Sequence, residues 1–194
     1  SSATPPNSAL TLKGLPFEGS LFAGQTLRFF GGIVGIVEKD EHKFSCAHMT
    51  VFSDGTKERM HGHNFHVAVA VMLPATEPQL MLDFARLKSA LSQLCAELRE
   101  HLLLPAHCHF FRIHQHDSAM IDFELCGQRY ILPAEDVLLL PIDNVTVENL
   151  ASWLWRRIHV ELFDDLARCQ VECLDVTVTE APGQGAPHSS PIGG

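Results

Sequence analysis

An α+β fold, with two helices covering one face of an antiparallel sheet, is predicted by three features of this sequence. Two long stretches carry apolar residues at helical spacing, and several shorter ones alternate with a period of two. Along the chain these segments come in the order strands, helix, hairpin, helix, strand. At 194 residues the chain is one domain's worth and long enough to bury a core. With 46% hydrophobic and 19% charged residues it is globular rather than disordered.

Residues 1–25 open on a Pro/Ser-rich stretch and read as an N-terminal tail; residues 26–182 form the single domain. The segments 29–38 and 43–48 read as the first strands. Asn64 to Met72 alternates, with Phe65, Val67, Val69 and Val71 on one face. Asp83 to Leu103 then places Phe84, Leu87, Leu91, Leu94, Leu98 and Leu102 at helical steps, with Asp83 as its cap and Pro105 as its stop. His109–Ile113 and Gln128–Leu132 suggest a hairpin around Asp117-Ser118. A second helix runs from Val147 to about Ala167 on a stripe of Leu150, Leu154, Ile158, Leu162 and Leu166. Thr146 is its natural N-cap, and Glu148 stands in the first turn, where the helix dipole favours a carboxylate. Leu174, Val176 and Val178 alternate in a last strand. Residues 183–194, rich in Gly, Pro and Ser, read as a flexible C-terminal tail.

The chain carries 23 acidic against 14 basic residues, a net charge of −9, and never more than two adjoining basic residues, which argues against a nucleic-acid surface. Its longest apolar runs fall far short of the roughly 20 residues a membrane helix needs. The six cysteines form no evident disulfide framework and read as free thiols. Together with the lack of a signal-like segment in this sequence, they lead to the expectation of a cytoplasmic protein.

Twelve histidines are the more unusual feature, and they cluster. Phe44-Ser45-Cys46-Ala47-His48 is followed, after a short segment, by His61-Gly62-His63-Asn64. Side chains two apart on a strand share a face, so His61 and His63 can chelate one ion, and His48 can supply a third imidazole from a neighbouring strand. Three neutral imidazoles suit Zn²⁺ and leave a fourth position open, the catalytic rather than the structural arrangement. Cys46 shares that face and is either a further ligand or a core residue. A second group, His107, His109, His114 and His116, splits between two faces and reads as a surface hairpin.

These residues resemble the signature of the 6-pyruvoyl-tetrahydropterin synthase / 6-carboxytetrahydropterin synthase family. Met81-Leu-Asp-Phe84, Thr146-Val-Glu148-Asn149 and Val176-Thr-Val-Thr-Glu180 resemble further family segments in the family's order. The resemblance implies a tunnelling fold: a four-stranded antiparallel sheet with two helices on one face, here with an extra hairpin. It also implies assembly into trimers and hexamers with sites between subunits. It further implies that His48, His61 and His63 bind zinc and that Glu180 anchors a pterin ring, with Thr146 and Glu148 nearby. A carboxylate suits such a ring because it accepts two parallel hydrogen bonds from a guanidine-like edge.

Two departures from the family pattern bear on the reaction. The usual catalytic Cys is absent from Met49 to Met60; Glu58 stands three residues before His61 instead. That resembles a variant type, known in malaria parasites and some bacteria, in which Glu replaces the Cys. The variant type cleaves the side chain of 7,8-dihydroneopterin triphosphate to 6-hydroxymethyl-7,8-dihydropterin on the way to folate. The family's Leu-Asp-His is also altered, with Arg99 and Glu100 in the Asp and His places and His101 one residue late. The expectation is a zinc-dependent pterin lyase with Glu58 as base and His101 or Glu100 returning a proton. The alternatives are 6-pyruvoyl- or 6-carboxytetrahydropterin synthesis, or a catalytically silent pterin- or purine-binding paralogue. Lys57 and Arg59 flank Glu58 as candidate triphosphate contacts, or as a solvated loop.

Overall fold

The computed structural model describes residues 26–29, 32–74, 82–181 and 184–192. The N-terminal tail assigned to residues 1–25 lies outside the described residues. The main sheet has seven strands. They are β1 (Thr26–Phe29), β2 (Gly32–His48), β3 (His61–Pro74), β4 (Leu102–Pro105), β8 (Val137–Leu140), β9 (Cys173–Ala181) and β10 (Gln184–Pro191). They order as β10-β9-β3-β2-β4-β8, with β1 paired to β2. Strands β5 (Phe111–His116), β6 (Met120–Leu125) and β7 (Gln128–Pro133) form a separate antiparallel sheet. The helices are α1 (Phe84–Leu98), α2 (Val147–Glu161) and the short α3 (Phe163–Arg168).

The α+β class holds, but the four-stranded sheet with two helices does not: the main sheet is larger, and it is not purely antiparallel. The β2–β4 and β4–β8 pairs are parallel. The two strands expected at 29–38 and 43–48 are one strand, β2, with an irregularity between Glu38 and Lys43.

Helix α1 starts where expected: the Asp83 carboxylate accepts from the amides of Ala85 and Arg86. It stops at Leu98, short of the expected Leu103, because Glu100 takes a left-handed φ of 62°. Leu102 to Leu104 then form β4, whose side chains alternate between two cores. Leu103 enters the main core with the helices, and Leu102 and Leu104 enter a second core with Phe123 and Leu125. A parallel strand buried on both sides reads as a continuous apolar run, which mimics the end of a helical stripe.

The expected second helix divides at Leu162 into α2 and α3. The hairpin around Asp117 pairs β5 with β6 rather than with Gln128–Leu132, which forms the third strand, β7. Residues 184–191, read from composition as a flexible tail, pair antiparallel with β9 as an edge strand. An edge position tolerates Pro187 and Pro191, because one side of the backbone needs no donor. All six cysteines are free, and five are buried. Among the described residues no helix is long and apolar enough to cross a membrane.

Candidate metal centre

The register of β2 on β3 sets His48 opposite His61, Cys46 opposite His63 and Phe44 opposite Phe65. Phe44 and Phe65 stack at 5.2 Å in the main core and anchor the buried end of this ladder. The three imidazoles follow on the same face toward the strand ends. Their ring centroids lie 4.7 Å (His48–His61), 5.4 Å (His48–His63) and 4.7 Å (His61–His63) apart. Glu180, near the end of β9, adds a carboxylate whose Oε1 lies 2.6 Å from Nε2 of His63. One ligand atom from each of the four residues lies within 4.8 Å of the others.

Backbone carbonyls orient two of the rings. Nδ1 of His48 lies 3.1 Å from the Val145 carbonyl, and Nδ1 of His61 lies 2.7 Å from the Arg59 carbonyl. Each Nδ1 therefore carries the proton and donates it, which leaves Nε2 with its lone pair. Nε2 of His48 is buried and has no hydrogen-bond partner. Burial holds this imidazole below its ordinary pKa and so in the neutral, ligating form, against the opposing pull of the Val145 hydrogen bond. A buried lone pair without a partner costs free energy unless something occupies it. Three neutral imidazoles, a nearby carboxylate and carbonyls behind two of the rings fit a divalent ion such as Zn²⁺.

Beside this group lies a cavity of about 650 Å³. Cys46, His63 and Glu180 line it from one face of the strands, and Ser45, Ala47, Gly62 and Asn64 from the other. Glu100, His101 and Leu102 close one side, and Leu132 and Asp136 reach in from the second sheet and its following turn. His101 is half-buried, and its Nδ1 is buried without a hydrogen-bond partner. The Cys46 thiol is pushed up to about 12, mainly by burial and further by Glu180, so it stays protonated at neutral pH. It stands outside the group of ligand atoms.

The segment joining β2 to β3 carries Glu58. A bridge between Val51 and Lys57 and a 2.9 Å bond from the Glu58 amide to the Thr50 carbonyl fold this segment back on itself. The Glu58 carboxylate, half-exposed, reaches to 3.8 Å from Nε2 of His61. A hydrogen bond from the Thr50 hydroxyl is the largest influence on it and holds it below the ordinary carboxylate range. Asn144, which the sequence did not single out, staples this segment to the start of α2. Its side chain accepts from the Val51 amide at 3.0 Å and donates to the Val51 carbonyl at 2.8 Å. No spacing signals that role, because its partner lies 93 residues away.

The remaining candidates are placed differently. Thr146 caps α2 through a 3.4 Å bond from the Asn149 amide, and Glu148 is exposed in its first turn; neither lines the cavity within this chain. Arg99 turns away and donates to the Lys43 carbonyl at 3.2 Å. Lys57 sits over the Tyr130 ring at 5.2 Å. His107, His109, His114 and His116 are all exposed and stand apart from the metal-competent group; His114 and His116 lie on the hairpin strand β5, whereas His107 and His109 lie before it.

Comparison with known proteins agrees with this architecture. The sequence profile of the family described as 6-pyruvoyl tetrahydropterin synthase matches residues 37–190. A protein of Methanocaldococcus jannaschii, provisionally named 6-carboxy-5,6,7,8-tetrahydropterin synthase, is 32% identical over 145 residues, 74% of this chain and 87% of that protein. The 6-pyruvoyl tetrahydropterin synthase structure of Plasmodium falciparum superposes with a TM-score of 0.75 at 24% identity, over 84% of this chain and 100% of that one. The Plasmodium vivax structure gives 0.73 at 26% identity, over 82% and 98%. The vivax protein has also been solved with a glutamate, described as its catalytic residue, replaced by Cys and by Ala.

Proposed function

The chain belongs to the 6-pyruvoyl tetrahydropterin synthase family, and within it we propose a zinc-dependent lyase acting on 7,8-dihydroneopterin triphosphate. The product is 6-hydroxymethyl-7,8-dihydropterin, a step toward folate. The observation that carries this reading is the Glu58 carboxylate 3.8 Å from His61, at the edge of the metal group, where the usual family Cys has no counterpart. The catalytic glutamate of the vivax protein supports the same role for Glu58.

His48, His61 and His63 would hold a zinc ion, which would supply Lewis acidity toward the hydroxyls of the substrate side chain. Glu58 accepts the proton of the 2′-hydroxyl. The C2′–O bond becomes a carbonyl, the C1′–C2′ bond breaks, and its electron pair passes into the electron-poor pterin ring. His101, half-buried at the cavity wall, delivers the proton that C1′ then takes up. Glu180 accepts hydrogen bonds from the donor edge of the ring. Thr146 and Glu148 approach the substrate from a neighbouring subunit in a trimer or hexamer, since within one chain they stand off the cavity.

Mass spectrometry of the products formed by zinc-loaded protein, with a chelator-treated control, tests the reading. A zinc-dependent 6-hydroxymethyl-7,8-dihydropterin peak is expected. A 6-carboxytetrahydropterin peak instead would favour the second reading, which the 32% identity to the Methanocaldococcus protein supports. No pterin product despite bound zinc would leave a binding protein.

A further inference from the structure

Next to the cavity, and sharing Ser45 and Asn64 as a common wall, lies a second pocket of about 470 Å³. Its other lining residues are Lys43, Phe44, His66 and Arg99. Lys43 and His66 are directly opposed across the β2–β3 ladder, and Ser45 and Asn64 are the next opposed pair on that face. The Ser45 hydroxyl donates to Asn64 at 2.5 Å and ties the shared wall together. Arg99 reaches the pocket from the end of α1, held by its bond to the Lys43 carbonyl. One such bond leaves most of the five guanidinium donors free. Lys43 and Arg99 are exposed, and neither makes an ion pair among the described residues.

The charges of the two pockets are opposed. The cavity carries Glu100, Asp136 and Glu180, and the pocket beside it carries Lys43, Arg99 and the His66 imidazole, with no carboxylate among the described residues that line it. From the Ala47–Gly62 pair in the cavity to the Lys43–His66 pair is four residues of strand, roughly 13 Å. In a protein of net charge −9, two cations in one pocket with no ion pair among the described residues are a local exception. An elongated ligand with a donor-rich ring at one end and phosphates at the other matches this polarity, because carboxylates accept from ring donors while ammonium and guanidinium groups hold phosphate oxygens.

We infer that the pocket of Lys43, His66 and Arg99 holds the phosphate chain of the substrate, while the adjoining cavity holds its ring. This deepens the proposed lyase reading and rests on it for the identity of the ring. It also moves the phosphate contacts away from Lys57 and Arg59. Lys57 is engaged with Tyr130, and Arg59 lines neither pocket.

Titration calorimetry of the zinc-loaded protein with inorganic tripolyphosphate, together with steady-state kinetics, tests the assignment. Lys43→Ala and Arg99→Ala should each weaken tripolyphosphate binding about tenfold, with a loss that shrinks as salt rises. Lys43→Arg should keep binding, and Lys57→Ala should match the parent. The same two alanine variants should raise KM for 7,8-dihydroneopterin triphosphate at unchanged kcat and leave turnover of unphosphorylated 7,8-dihydroneopterin alone. Unchanged tripolyphosphate affinity in both variants overturns the pocket. So does binding that vanishes in His63→Ala, since that would be direct ligation of the metal. Weakened tripolyphosphate binding with an unchanged KM overturns the assignment to substrate in favour of a site for free polyphosphate. If no hydroxymethyl product forms at all, the lyase reading fails separately, and the calorimetry alone decides the pocket.

Discussion

His48, His61 and His63 converge because strand parity puts them on one face and the β2–β3 register puts His48 directly across from His61. The first condition can be read from spacing; the second needs the pairing, and the resemblance supplied it in advance. The hydrogen bonds that present Nε2 of His48 and His61 are donated to the backbone carbonyls of Val145 and Arg59 and so leave no mark in residue type. Glu58 shows the same limit. Its place before His61 suggested a base, but the hydrogen bond from the Thr50 hydroxyl outweighs the upward push of burial and holds its pKa below the ordinary carboxylate range. A base this weak depends on Lewis acidity at the substrate hydroxyl. Glu58→Gln is accordingly expected to keep the metal content of the parent, measured by elemental mass spectrometry. Its turnover should fall by about 10²–10⁴-fold. Turnover retained in that variant would remove Glu58 from the mechanism.

At the level of elements, the helix starts were legible and the helix ends were not. Asp83 and Thr146 cap α1 and α2 as their types predict, because a cap is a local hydrogen bond between neighbours in sequence. Thr146→Ala should cost about 1 kcal/mol, read from the urea midpoint, and Thr146→Ser should restore it. The ends of α1 and α3 depended on left-handed residues that are not glycine. Glu100 at φ 62° turns α1 into β4, and Gln170 at φ 51° follows α3. At Gln170 the Val171 amide returns to the Leu166 carbonyl at 2.9 Å, a helix stop that glycine ordinarily occupies. Gln170→Gly should therefore raise stability by about 0.5–1 kcal/mol in the same assay. A fall in stability would show that the Gln170 side chain contributes something that outweighs the backbone strain.

For the whole molecule, one buried carboxylate links the sheet to pH. Asp175 on β9 is buried, and burial pushes its carboxyl above the ordinary range, against hydrogen bonds from Thr177 and Ser189. The folded state then holds the proton more tightly than the unfolded chain. Its contribution to stability is complete below the unfolded value of 3.8 and is lost as pH rises through the higher folded value. Urea unfolding of the parent at pH 4 and pH 7 should show that loss, and Asp175→Asn should lessen it. An identical pH dependence in the variant would assign the change to other groups.

Periodicity determined the α+β class, and motif spacing determined the His61–His63 pair and the caps, because both rest on contacts within a strand or a helical turn. Only the tertiary structure decided the seven-stranded main sheet, the second core beneath β5–β7, and the edge strand β10. These arise from pairings between residues far apart, to which composition is blind. The cavity wall from Leu132 and Asp136 and the neighbouring pocket of Lys43, His66 and Arg99 belong to the same class. Each gathers side chains from separate segments that no spacing along the chain could bring together.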